Sequence, residues 1–335
     1  MKRILRNWPS TNAANGSFSI GFFVVLSIVL LAACERSAVE SKAPAANPPA
    51  ANSSEIRLVD RLDREVRFSK IPTRIVSLSP STTELLFALG LGSSVVGRTE
   101  HCNYPLEALD IAKVGSGTLE GISREAIVSL QPDLVLCKWD SHQPLIETFE
   151  KLAIPIVAFG PENIEDMFKE ARWIGSITGH QTQAEQLVDR MSARLERLKA
   201  VVSKISVQDR KRVFYQVWDA PLMTAGPTSF IGELLTTAGF NNVFSDIANR
   251  YTRVSSEVLV ERDPQVIFAP TTHSTEVKLE SFATRPGWEN VTAVREGKIY
   301  IINGDQVSRC GPRLLDAMEQ MIRLGYPEIA AGLDP

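Results

Sequence analysis

His101, Cys102, Cys137, His142, His273 and Cys310 offer the imidazole and thiol groups that ligate zinc, haem iron or the cobalt of a corrinoid. Their spacing forms no CxxC pair and no HExxH helix, so the sequence writes no preassembled metal site. Covalent catalysis is equally unsupported. No GxSxG elbow occurs, and Gly115-Ser116-Gly117 lacks the strand–turn–helix context an elbow needs. His101 and Cys102 are adjacent, and neighbours on a strand point to opposite faces, so adjacency alone makes no dyad. No glycine-rich loop opens a helix toward a phosphate. The chain carries a repeat instead. Ile122–Val135 (ISREAIVSLQPDLV) lines up without a gap on Val254–Ile267 (VSSEVLVERDPQVI), so Ser123 and Ser255 each stand two before a glutamate and nine before a proline. Each copy reads as an N-cap serine, an acidic first turn at Glu125 or Glu257, an apolar helix face, a turn and a buried strand.

Between the copies lies the stretch that positions everything else. Thr182 to Ile205 contains no Gly and no Pro, and its apolar residues Leu187, Val188, Met191, Leu195, Leu198, Val202 and Ile205 draw one helical stripe. A helix of that length spans about 35 Å. Thr182 with Glu185 reads as a capping box that marks its start. Before it, Arg57–Phe68 alternates like a short hairpin, and Arg74–Leu78, Val95–Gly97, Asp133–Cys137 and Ile154–Phe159 read as strands. Ser79–Glu84 turns from the first of these into a helix over Leu85–Leu89, closed by Gly90. After it come strands at Arg212–Val217, Gln265–Ala269 and Lys298–Ile302, with helices at Thr228–Ala238 and Arg313–Leu324. Alternating strands and helices predict α/β units, here two similar lobes joined by a strut.

The ends and the composition set the compartment. Lys2, Arg3 and Arg6 precede an apolar run, Ile20–Ala33, of signal-peptide length. It closes on Leu31-Ala32-Ala33-Cys34, which resembles the lipobox of bacterial lipoproteins, where the signal is cut before the cysteine and the thiol accepts lipid. Glu35–Ser54 is rich in Ala, Pro, Asn and Ser and reads as a flexible tether reaching about 60–70 Å when extended. The expected domains are therefore 1–33 signal, 34–54 lipidated cysteine and tether, 55–181 first lobe, 182–206 inter-lobe helix and 207–335 second lobe. The chain has 335 residues, 44% hydrophobic and 22% charged, with a formal net charge of −3. Near-neutral charge without a basic run argues against nucleic acid as a partner.

Residues 57–324 resemble a periplasmic binding protein of the iron-siderophore and cobalamin class, the ligand receptor of an ABC importer. The resemblance rests on Arg74-Ile-Val-Ser-Leu-Ser-Pro-Ser-Thr-Thr-Glu84, the repeated Ser-x-Glu segments, Gly239-Phe-Asn-Asn-Val-Phe244 and the tail Arg309-Cys-Gly-Pro-Arg-Leu314. It is closest to the cobalamin (vitamin B12)-binding branch. The fold implied is α/β, two Rossmann-like lobes joined by a single long helix, the class III or helical-backbone type. The resemblance implies no enzyme and no cofactor. It implies a corrinoid as transported ligand, with a ferric siderophore or haem as the alternative within the same class. It also implies permease subunits in the inner membrane as partners, a lipid anchor at Cys34 on the periplasmic or extracytoplasmic face, and a monomer in solution. The rival classes are a lipid-anchored thiol enzyme or hydrolase and a structural scaffold.

By this resemblance the ligand sits between the lobes against aromatic side chains and a few polar groups. The first lobe would supply Pro80, Ser81 and Thr82, then His101 and Cys102, then Trp139 beyond the strand ending at Cys137. The second would supply Trp218, Tyr251 and the pair Asp305 and Arg309, all near strand ends, where open α/β sheets bind ligands. Each has a plainer reading. Trp139 and Trp218 could be packing aromatics, and Asp305 with Arg309 a surface ion pair of little energetic weight. Glu125 and Glu257 would dock onto permease arginines, one from each lobe, although a glutamate in a first turn also suits the helix dipole. Glu84 has the same helix-start character and reads as structural. Cys310 stands where family tails commonly have proline, which leaves open a thiol contact in the cleft or a Cys102–Cys137 bridge. The strut would limit the lobes to a small hinge movement around a largely preformed cleft.

Overall fold

Short apolar runs bounded by turns form the centre of each lobe in the computed structural model, which describes residues 56–271 and 278–333. In lobe one a two-stranded hairpin, β1 (Ile56–Val59) and β2 (Glu65–Phe68), precedes a parallel sheet. That sheet contains β3 (Ile75–Ser77), β4 (Val95–Arg98), β5 (Leu134–Lys138) and β6 (Ile156–Phe159) in the order β4-β3-β5-β6. Helices α1 (Pro80–Ala88), α2 (Arg124–Ser129), α3 (Gln143–Lys151) and α4 (Ile164–Thr178) alternate with the strands. Strands β3 and β6 are buried at every position, as expected for a parallel sheet covered on both faces.

The strut, α5 (Gln181–Val202), follows directly. Lobe two then contains β7 (Arg212–Trp218), β8 (Met223–Ala225), β9 (Asn241–Asn242), β10 (Tyr251–Arg253), β11 (Val266–Pro270) and β12 (Ile299–Ile302). Its helices are α6 (Phe230–Thr237), α7 (Ser256–Arg262), α8 (Glu280–Ala283), α9 (Thr292–Arg295), α10 (Gly304–Val307) and α11 (Leu314–Gly325). The sheet order is β10-β8-β7-β11-β12, with β9 also paired to β7. Its parallel part, β9-β7-β11-β12, repeats the order of lobe one. The repeated segments fall on α2–β5 and α7–β11. Ser123 Oγ accepts the Ala126 N–H at 3.1 Å and Ser255 Oγ the Val258 N–H at 3.3 Å, so both serines cap as their spacing predicts.

The stripe on α5 holds the lobes to one spine. Leu187, Val188, Met191, Leu195, Leu198 and Val202 are buried in a single apolar cluster that includes Ile174 and Ile177 of α4 and Leu315, Met318 and Ile322 of α11. Each such side chain contributes about 1.5–3 kcal/mol on burial. The start of α5 differs from its expected capping box. Its N-cap is His180, without a side-chain cap, and Thr182 lies inside the first turn. The reason is tertiary: α4 ends at Gly179 with φ +73°, and the chain turns straight into α5. Helix α1 likewise begins at Pro80 rather than Leu85, because proline suits the first helical position. Residues 81–84 are therefore helical, not a turn. His273 and the lipidation candidate Cys34 lie outside the described residues.

Candidate functional site

Strand ends, with the loops and helix starts beside them, bring six segments together between the lobes. Ser79–Ser81 start α1 after β3, Lys138 ends β5 with Trp139 and Asp140 just beyond it, and Gly160–Glu162 follow β6. Across from them lie Ser229 and Phe230 at the start of α6, Arg250 and Tyr251 at β10, and Ser308–Cys310 after α10. They enclose a cavity of about 270 Å³. An open groove of about 730 Å³ adjoins it over the β1–β2 hairpin and shares Trp139 and Glu162 as a partition. Gly160 sets that partition. Its φ is +138°, and a Cβ there would stand 2.7 Å from the Trp139 ring, so only glycine lets the indole lie against this turn.

Five of the ten candidate ligand residues line the cavity: Pro80, Ser81, Trp139, Tyr251 and Arg309. His101 and Asp305 stand behind the lining and hold Arg309, the first through its backbone carbonyl at 3.0 Å and the second through its carboxylate at 2.8 Å. Thr82 is buried within α1. Cys102 is buried, its sulfur 3.1 Å from Thr99 Oγ1 and 3.9 Å from the Ser77 carbonyl. Trp218 ends β7 beyond an irregularity in its pairing with β8, is 44% exposed and donates its indole N–H to the Ala220 carbonyl at 3.0 Å. It is outside the cavity lining. The sequence reading missed Phe230, Glu162 and Arg250. Phe230 follows the cap serine of α6, and Arg250 precedes Tyr251, so a capped helix start and an aromatic–arginine pair were the signals available.

Among the described residues, His142 and the three cysteines are held by internal hydrogen bonds or packing. Among the described residues no group of three His, Cys, Asp or Glu side chains is placed to hold a metal. His142 Nδ1 accepts the Lys138 N–H at 3.1 Å, which leaves Nε2–H to donate to the Gly117 carbonyl at 3.0 Å. Burial holds its pKa below the usual imidazole value. Cys102, Cys137 and Cys310 are all unbridged and buried, so no Cys102–Cys137 disulfide forms. Burial pushes the Cys137 thiol up to about 12 and raises that of Cys310, so both stay protonated at neutral pH and neither is an activated thiolate. Cys310 does line the cleft, and its S–H points to the Asn163 carbonyl of the other lobe at 3.4 Å.

Charge at the cleft runs across it. Arg309 is 8% exposed and bonds Glu84 and Asn103 of lobe one as well as Asp305, which excludes a simple surface ion pair. Glu84, 4% exposed, also accepts from Arg313 at 2.9 and 2.5 Å. On the other side Arg250 reaches Glu162, which Arg61 also holds at 2.7 Å. The hydrogen bond from Arg250 is the main reason the Glu162 carboxyl sits below the usual range. These bridges draw the lobes together. The cavity falls just under the roughly 300–1,000 Å³ usual for small-molecule sites. It is narrower than a cleft preformed for a macrocycle. Glu125 and Glu257 are exposed in the first turns of α2 and α7, one on each lobe.

A profile of the family described as periplasmic binding protein matches residues 75–305. The chain belongs to this family. Over 278 residues it is 31% identical to YvrC of Bacillus subtilis, an uncharacterised ABC transporter substrate-binding lipoprotein, covering 82% of this chain and 86% of that one. It is 29% identical over 248 residues to a vitamin B12-binding protein of Vibrio parahaemolyticus, covering 73% and 86%. Among solved structures, the periplasmic vitamin B12 binding protein BtuF of Vibrio cholerae superposes with a TM-score of 0.65 at 25% identity, covering 78% of this chain and 97% of that one. This periplasmic binding protein is therefore the extracytoplasmic substrate-binding component of an ABC importer and not an enzyme. No helix among its described residues is long and apolar enough to cross a membrane. Its two lobes and spine are the family's fold.

Proposed function

We propose that this protein captures a corrinoid between its lobes and delivers it to an inner-membrane permease while a lipid on Cys34 tethers it to the membrane. The observation that carries the reading is the inter-lobe cavity walled by Pro80, Trp139, Phe230 and Tyr251 at strand ends. Flat apolar side chains facing each other across a cleft suit the faces of a macrocycle, and Ser81 and Ser308 offer hydroxyls for its amide rim. Relatives whose names record vitamin B12 binding support the same solute. A corrin ring exceeds the present 270 Å³, so capture includes a parting of the lobes about the strut. Loaded protein docks through Glu125 and Glu257, and permease movement driven by ATP in the cytoplasm separates the lobes for release.

The test is calorimetric titration of the chain from Glu35 onward with cyanocobalamin, dicyanocobinamide, haem and a ferric siderophore. Tight one-to-one binding of cyanocobalamin is the expected result. Binding of a ferric chelate or haem with silence from both corrinoids would reject the corrinoid assignment and keep the transporter class.

A further inference from the structure

The two sides of the cleft hold their cations in opposite ways. Each of the four terminal N–H groups of Arg309 has an acceptor: Glu84 Oε1 at 3.1 Å, Asn103 Oδ1 at 2.8 Å, the His101 carbonyl at 3.0 Å and Asp305 Oδ1 at 2.8 Å. Glu84 in turn is shared with Arg313, and both border a groove with Arg194 of the strut. That network joins the lobes beside α5. It is a fixed pin.

Arg250 is arranged for exchange. It lies in the loop before β10, its side chain is half exposed, and it faces the cavity. Among the described residues its ion-pair partner is Glu162, across the cleft after β6. Glu162 has a second partner within its own lobe: Arg61 donates to Oε2 at 2.7 Å, and Arg61 is anchored by Asp166 at 2.7 Å. When the lobes part, Glu162 keeps Arg61 while Arg250 loses its carboxylate. The other cations in the lining keep a carboxylate of their own lobe, Lys138 that of Asp140 at 3.1 Å and Arg309 that of Asp305 at 2.8 Å. Parting therefore leaves Arg250, among the lining cations, without a carboxylate partner as the solute enters, and a guanidinium fork matches a phosphate or carboxylate.

We propose that Arg250 is a specificity-determining residue of the cleft, exchanging Glu162 for an oxyanion on the solute, so that acid-bearing solutes are selected. This rests on the reading of a solute held between the lobes and narrows its chemistry. Cyanocobalamin carries a phosphodiester in its nucleotide loop, and dicyanocobinamide lacks that loop, so the two corrinoids separate the acid from the ring.

Titrations compare wild type with Arg250→Gln and Glu162→Gln. Arg250→Gln should weaken cyanocobalamin about tenfold or more and dicyanocobinamide by no more than about twofold. Glu162→Gln, which removes the competing carboxylate, should tighten cyanocobalamin. Equal losses for both corrinoids, no loss at all, or weaker binding by Glu162→Gln would overturn the proposal. If wild type binds neither corrinoid, the corrinoid reading fails separately, and haem against its dimethyl ester applies the same criterion to the same variants. A measurement without any solute decides the exchange itself. Spin labels at the exposed positions Glu147→Cys and Glu289→Cys should report a longer or broader inter-lobe distance in Glu162→Gln than in its parent. An unchanged distance distribution would mean that the pair does not hold the lobes and would overturn the exchange.

Discussion

Trp139 owes its place in the cleft to a glycine twenty-one residues away in sequence, because Gly160 leaves room for the indole where a side chain would collide. Arg61 lies over the same ring at 5.7 Å. Trp139→Ala should weaken solute binding about tenfold or more, roughly 1.4 kcal/mol, in the titration used to identify the solute. Unchanged affinity would make the indole a packing residue. Behind Gly160, Glu170 is buried and accepts the Gly160 N–H at 2.6 Å. Burial raises its pKa from 4.5 to about 8. The folded protein then keeps a proton that the unfolded chain releases, so this contribution to stability is complete below pH 4.5 and is lost as pH rises toward 8. Glu170→Gln retains the acceptor without the titration. Chemical denaturation should find it more stable than wild type at pH 8 by about 1 kcal/mol or more, with the gap closing near pH 4.5.

At the scale of elements, α1 and the segment leading into α11 are joined by one carboxylate. Glu84 stands in α1, whereas Arg309 and Arg313 approach from the other lobe, and the Arg313 guanidinium also stacks 3.7 Å from the centre of the Tyr104 ring. Removing the carboxylate leaves a buried and a partly buried guanidinium without their shared anion. Glu84→Ala should cost about 3–5 kcal/mol in denaturant unfolding. A loss below about 1 kcal/mol would show that the lobes do not depend on the pin. The reading of Glu84 as structural was available from its helix-start position, but its partners were not, since they lie more than two hundred residues along the chain.

For the whole molecule, the repeat places one exposed glutamate on each lobe, at the start of matching helices. Glu125→Ala combined with Glu257→Ala should abolish solute uptake in cells while leaving the affinity of the purified protein unchanged. A large loss of affinity in the double variant would remove both residues from the docking role.

Periodicity and local chemistry alone determined the two α/β halves, the apolar stripe of the strut, the serine caps of α2 and α7, and the pairing of Glu125 with Glu257. These depend on contacts within a few residues or on a pattern of burial, and both are written in residue order. The start of α5 was misread, since a turn out of α4 overrode a local capping signal. The composition of the cleft was decided by the tertiary structure. Pro80, Ser81, Trp139, Tyr251 and Arg309 reach it, whereas Thr82 and Cys102 turn into the core and Trp218 stays outside the lining. Side-chain direction near a strand end depends on helix starts, bulges and glycine turns that position in sequence does not specify. The pairing of Glu162 with Arg250 became visible only when two loops from different lobes met, because an ion pair across a cleft leaves no spacing in the chain.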